Sequence, residues 1–177
     1  MIISVEKAKS LVSFPENWTE EKIKMKLLAV EQTIRAYTNN NFQNRGFRVQ
    51  ADIANGRFVS ESLIPFSAGD NVQVSESQYN SGLFTVETAD DETFTVGEDV
   101  RDEDAVLVTK IEYPADVVAC CVNLMEWEVN NRGKVGIQSE TLSRHSVTYF
   151  NQDAANQVMG YPASLLGCLK AYRKARC

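Results

Sequence analysis

Two incompatible spacings of apolar residues divide this chain. Over residues 17–42 and 113–132 they recur every three or four positions; over 45–110 they recur every second one. An α-helix gathers positions i, i+3 and i+4 on one face, whereas a strand gathers i and i+2. The chain is therefore read as helix, then strands, then helix again. The expected fold class is α+β, a small helical bundle with an inserted all-β module that closes as a small barrel or sandwich. The expected domains are a discontinuous helical one, residues 1–44 with 111–177, and an inserted β module, residues 45–110. The helical flanks would have to meet across the insert to bury their stripes.

Local signals place the elements. Ser4 is an N-cap candidate for a short helix carrying Val5, Ala8, Leu11 and Val12, which Pro15 breaks. Thr19 caps the next, with Glu20 and Glu21 in the first turn, where the macrodipole favours acids. Ile23, Leu27, Val30, Ile34 and Tyr37 then form a sustained apolar stripe. Lys22, Lys24 and Lys26 lie off it and read as a solvated face. The run Asn39, Asn40, Asn41 is poor helix and good turn material.

Between residues 45 and 110, Phe47 and Val49, Phe58, Val72 and Val74, Phe84 and Val86, Phe94 and Val96, and Val106 and Val108 mark about six short strands. Asn55-Gly56 predicts a type I′ hairpin. Phe47, Phe58, Phe66, Phe84 and Phe94 stand at positions expected to face a core, in preference to an open face stacking bases. Pro114 then opens a helix with Val117, Cys120, Leu124 and Trp127 on one stripe, and Gly133 is a natural stop. Residues 134–151 read as a loop feeding an extended arm with alternating Val147 and Tyr149, and Pro162 opens a last helix with Leu165, Leu169 and Tyr172.

The formal charge of −6 is concentrated in Asp90, Asp91, Glu92, Glu98, Asp99, Asp102, Glu103 and Asp104. Such a stretch repels phosphate, which argues against a sequence-reading nucleic-acid binder while leaving room for a wall past which DNA slides. The four cysteines, Cys120, Cys121, Cys168 and Cys177, form no zinc pattern and read as reduced thiols of a reducing cytoplasm, with one of the adjacent pair in the core and the other towards the flank. Residues 1–14 carry Glu6, Lys7 and Lys9 and read as neither a signal peptide nor a membrane span.

No catalytic constellation emerges, and the chain is read as a non-enzyme without cofactor or metal. His145 is the only histidine, so a Ser-His-Asp triad would depend wholly on it; Ser143 and Ser146 beside it say nothing of triad geometry. Gly133-Lys134-Val135-Gly136 lacks the spacing of a phosphate loop. Glu126 and Glu128, two residues apart on a helix, fall on different faces and make no general acid/base pair.

The order of segments carries a resemblance. A helix ends in Ile34-Arg35-Ala36-Tyr37-Thr38 and an asparagine run, a β insert follows with Ile64-Pro65-Phe66-Ser67-Ala68-Gly69-Asp70, and the next helix begins Tyr113-Pro114-Ala115-Asp116-Val117. The tail runs from Ser139-Glu140-Thr141-Leu142 to Tyr149, then Gly160-Tyr161-Pro162 and Leu169-Lys170-Ala171-Tyr172-Arg173-Lys174. This resembles the head-tail connector, or adaptor, proteins of long-tailed bacteriophages. The resemblance implies a structural protein of the virion neck, made in the host cytoplasm, that forms a ring of about twelve subunits below the portal. It would extend the DNA channel after packaging, bind portal protein, and present a docking surface to stopper or tail-completion proteins.

On that resemblance, Ser139, Glu140, Ser143, Arg144, Ser146, Val147 and Tyr149 are candidate contacts to a neighbouring subunit or to the portal. The alternative for this segment is an internal β addition to the chain's own insert. Lys170, Arg173, Lys174 and Arg176 either dock on an acidic portal rim or complement a helix dipole. The competing function is a monomeric β-barrel binding module on a helical scaffold.

Overall fold

A computed structural model of the chain describes residues 1–134, 139–142, 145–148 and 156–175. Two compact units are present, one of Met1 with Asn41–Tyr113 and one of Ile2–Asn40 with Pro114–Cys177.

The first unit is a barrel. Its strands are β1 (Gln43–Ala54), β2 (Arg57–Val59), β3 (Asn71–Ser75), β4 (Gly82–Ala89), β5 (Thr93–Val96) and β6 (Glu103–Ile111). They close in the order β1-β2-β5-β4-β3-β6, each pair antiparallel. Closure removes the free edges that six short strands would otherwise expose.

Alternation fills the interior with Val49, Ala51 and Ile53 of β1, Val72 and Val74 of β3, and Val106 and Val108 of β6. Phe58 and Phe94 stack at 4.4 Å between ring centroids, and Phe66 meets Phe94 edge-on at 5.5 Å. Phe84 is only partly buried against this core. Phe47, expected inside, is exposed, with the Lys110 ammonium 5.6 Å from its ring centre. A register shift in the β1–β6 ladder between Asn44 and Arg48 breaks the simple alternation there.

The β1–β2 turn places Asn55 at φ 53° and Gly56 at φ 75°, as a type I′ turn requires. A second irregularity lies between the pairs Ala51↔Val106 and Ile53↔Glu103. There Ala105 adopts φ 59°, a left-handed conformation costing an L-residue about 1–2 kcal/mol. Its N–H donates to Asp52 Oδ1 at 2.8 Å, which offsets part of that cost.

The second unit contains α1 (Val5–Leu11), α2 (Glu20–Thr38) and α3 (Ala115–Asn131). Ser4 and Thr19 cap the first two by accepting the N–H of Lys7 and Lys22. Helix α2 ends where Asn39 turns left-handed at φ 48° and returns its N–H to the Arg35 carbonyl. Ile23, Leu27, Val30 and Ile34 of α2 are buried, as are Val117, Cys120 and Leu124 of α3, and the two helices pack together.

The expected small helical bundle with a β insert is not the architecture formed. The chain is chiefly a closed six-stranded barrel accompanied by helices. A bundle needs several long helices sharing one apolar core. Among the described residues only α2 and α3, of 19 and 17 residues, are long. The last helix expected from Pro162 is absent: Pro162 ends strand β10 (Tyr161–Pro162), paired with β9 (Gln157–Val158), and a 3₁₀ segment covers Gly167–Tyr172. Its hydrogen bonds reach back three residues, as in Leu169 N–H to Leu166 O at 3.1 Å. Gly167 sits in the middle of what would have been that helix, where glycine costs about 1 kcal/mol relative to alanine.

Candidate interface surfaces

After α3 a 3₁₀ turn, Arg132–Lys134, leads into the polar segment. Strands β7 (Ser139–Leu142) and β8 (His145–Thr148) then pair antiparallel with each other, and among the described residues no third strand joins them. Ser139 stands opposite Thr148, Glu140 opposite Val147, and Ser146 opposite Thr141. In place of the single extended arm expected there, the described residues form a two-stranded ribbon. Four of the arm candidates, Ser139, Glu140, Ser146 and Val147, are brought onto this two-stranded ribbon. Ser143, Arg144 and Tyr149 lie outside the described residues, as do Arg176 and Cys177. His145 stands opposite Leu142 in the same ribbon.

The arm leaves and returns through one clamp. Glu128, near the end of α3, is 4 % exposed and accepts hydrogen bonds from Lys26 Nζ at 2.9 Å, Arg132 Nε at 3.0 Å and the Tyr161 hydroxyl at 2.7 Å. Arg132 Nη2 donates to the same carboxylate, and Nη1 donates to the Gly160 carbonyl at 3.1 Å. The guanidinium also lies 4.6 Å from the Trp127 ring centre and 5.0 Å from that of Tyr161. Burial works against the Glu128 charge, but hydrogen bonds from Arg132, Lys26 and Tyr161 outweigh it and hold the carboxyl at about 2. Burial, with Glu128 as neighbour, pushes the Tyr161 phenol up. This clamp joins Arg132, which precedes the arm in the chain, to Gly160 and Tyr161, which follow it.

Sequence reasoning missed the clamp, although Glu128 and Arg132 stand at i, i+4 on a helix, the spacing at which charged side chains meet. Lys26, assigned to a solvated face, is instead a partner of Glu128, and Lys22 lies 4.5 Å from the Trp18 ring centre. Glu126 is exposed while Glu128 is buried. Cys120 and Cys121 are both buried, not divided between core and flank. Burial, then the Cys168 thiol, raises the Cys120 thiol; burial, then the Glu31 carboxylate, pushes Cys121 up to about 12.

The C-terminal segment is held by the asparagine run. Asn39 Nδ2 donates to the Ala175 carbonyl at 2.9 Å, Asn40 Nδ2 to that of Tyr172 at 3.3 Å, and Lys174 N–H to that of Thr38 at 2.8 Å. Arg173 lies 5.3 Å from the Tyr37 ring centre. Lys170 and Lys174 are exposed. Because the segment is a single 3₁₀ stretch of six residues, a helix dipole gives little reason for their charge.

The barrel surface is strongly acidic. The unit holding it has five Lys and Arg against fourteen Asp and Glu, a formal −9, while the other unit has thirteen against ten, a formal +3. Asp90, Asp91, Glu92, Glu98, Asp99, Asp102 and Asp104 are all exposed. Glu103 is half-buried and accepts from Ser77 Oγ at 2.6 Å, from Asn80 Nδ2 at 2.7 Å, and from the N–H groups of Gln78 and Tyr79. The Ser77 hydroxyl foremost lowers its carboxyl, and the loop 76–81 is thereby pinned to β6. Among the described residues no group of three or more His, Cys, Asp or Glu is placed to hold a metal ion, and no helix is long and apolar enough to cross a membrane.

No family model and no curated protein matches this chain.

Proposed function

We propose that this chain is a structural adaptor of a tailed-phage virion neck, assembled as a ring of about twelve copies below the portal. The observation that carries the reading is the arm: a two-stranded ribbon that no third strand joins among the described residues, preceded and followed in the chain by a buried Glu128–Arg132–Tyr161 clamp. An isolated two-stranded hairpin is marginal in water, and open strand edges invite pairing with another chain. A ribbon in need of a partner suits assembly better than catalysis.

The resemblance to connectors supplies the identity of the partners: neighbouring copies, portal protein, and a stopper or tail-completion protein. In this reading the chain is made in the host cytoplasm and ends in the virion, and DNA passes it without sequence recognition. An acidic barrel adheres weakly to phosphate, as a conduit requires. The competing binding-module reading relied on an open aromatic groove, and it is not favoured, because Phe58, Phe66 and Phe94 are packed inside the barrel.

Deleting residues 138–150 tests the proposal. The variant should keep the circular dichroism and melting of the full chain while assembly of infectious particles is lost. Particles that assemble normally without the arm would refute the reading.

A further inference from the structure

Helix α3 carries two buried thiols in succession, and they meet different neighbours. Successive helical residues point about 100° apart. Cys121 has the Glu31 carboxylate of α2 as its charged neighbour. Cys120 meets the C-terminal segment instead, its thiol donating to the Leu165 carbonyl at 3.4 Å. The Cys168 thiol, in the 3₁₀ stretch Gly167–Tyr172, donates to the same carbonyl at 3.7 Å. Two sulfurs thus share one acceptor, and the Cys168 side chain is itself a hydrogen-bonding neighbour of Cys120.

The frame around this pair is fixed. Leu169, next to Cys168, is fully buried, and the 3₁₀ stretch packs on α3. The Tyr172 hydroxyl donates to both Asp116 carboxylate oxygens, at 2.7 and 2.8 Å, and Asp116 stands one turn before Cys120. The two thiols differ in access: Cys120 is 1 % exposed, whereas Cys168 is open to solvent, and both are free.

We infer that Cys120 and Cys168 are a dithiol site that closes to a disulfide on reaction with a low-molecular-weight disulfide, of which glutathione disulfide is the test case. Cys168 reacts first, because it alone of the two meets solvent. Its thiolate attacks one sulfur of the oxidant, a mixed disulfide forms, and the first glutathione leaves and takes up the proton that Cys168 gave. Cys120 then attacks the Cys168 sulfur, and the second glutathione leaves with the Cys120 proton. Two protein thiols are oxidised to one disulfide while one glutathione disulfide is reduced to two thiols. Burial, foremost, raises the Cys120 thiol, which makes the second step the slower one.

The bond would close a covalent loop over residues 121–167, which include the strands Ser139–Leu142 and His145–Thr148. A cross-link over so long a loop restricts the unfolded chain and so stabilises the folded one. The site stays open in a reducing cytoplasm and closes in an oxidising medium. This chemistry does not depend on the adaptor reading, so either can fail without the other.

The test is incubation of the reduced full chain with glutathione disulfide, followed by non-reducing digestion, mass spectrometry with fragmentation to assign the linked cysteines, and thermal melting. Cys120 should be found joined to Cys168, and the melting temperature should rise by about 5–10 °C and return on reduction. Cys168→Ser, at an exposed position, should abolish both the link and the rise, whereas Cys177→Ser should keep both. Recovery of Cys168 only as its mixed disulfide with glutathione, or joined to Cys121 or Cys177, would overturn the inference. A Cys120–Cys168 link that leaves the melting temperature unchanged would overturn its stabilising role.

Discussion

Glu128 is the residue on which the clamp depends. Its carboxyl, held at about 2, is depressed from the ordinary unfolded value of roughly 4.3. A depressed acid stabilises the fold fully above its unfolded value and loses that contribution as pH falls towards its folded one. The shift corresponds to about 3 kcal/mol. Lys26 and Arg132 are 33 % and 38 % exposed, so solvent screening reduces the expected contribution to on the order of 2 kcal/mol. Urea midpoints measured stepwise from pH 6 to pH 2 should therefore fall more for the full chain than for Glu128→Gln. Parallel pH curves would show that the clamp contributes no net charge stabilisation. Neighbouring residues show how far local sequence goes. Ser4, Thr19 and Asn39 could be assigned as helix-end residues because capping and turning are local. Lys26 could not be assigned, because its partner lies 102 positions away.

At the scale of elements, strand positions were legible from period two, and the Asn55-Gly56 turn from its dipeptide. What alternation could not supply was the bulges. The shift that leaves Phe47 outside depends on the partner strand β6, not on β1 alone. Phe94 shows the energetic side of the pairing. It is 1 % exposed, stacked on Phe58 and capped by the edge of Phe66, so Phe94→Ala should cost about 3–5 kcal/mol and lower the melting temperature sharply. A change below about 1 kcal/mol would mean that the ring is not part of a packed interior. The missed element is equally instructive. Leu165, Leu169 and Tyr172 have helical spacing, yet the segment forms a turn and a 3₁₀ stretch tied to Thr38, Asn39 and Asn40 through its own backbone groups. Tertiary hydrogen bonds outweighed a three-residue stripe broken by Gly167.

At the scale of the whole molecule, the barrel unit begins and ends at neighbouring strands. Gln43 pairs with Ile111, and Glu112 N–H donates to the Phe42 carbonyl at 3.0 Å. A unit closed on itself, with its own core and adjacent ends, has what independent folding requires. Residues 41–113 expressed alone should unfold cooperatively in urea and give dispersed amide resonances. A broad, non-cooperative transition would show that the barrel needs the rest of the chain. The charge division, −9 against +3, belongs to this scale too, because it is visible only once residues are assigned to units.

Sequence alone determined what depends on near neighbours: the helix caps, the apolar stripes of α2 and α3, the β1–β2 turn, and the alternation that turns Phe58 and Phe94 inward. The closed barrel as the principal architecture, the failure of the last helix, the exposure of Phe47, the self-pairing of the arm and the Glu128 clamp were decided by tertiary structure. Apart from the arm's pairing, which is local, each of these depends on residues far apart in the chain. Periodicity ranks faces within one element but carries no information on which distant element will meet them.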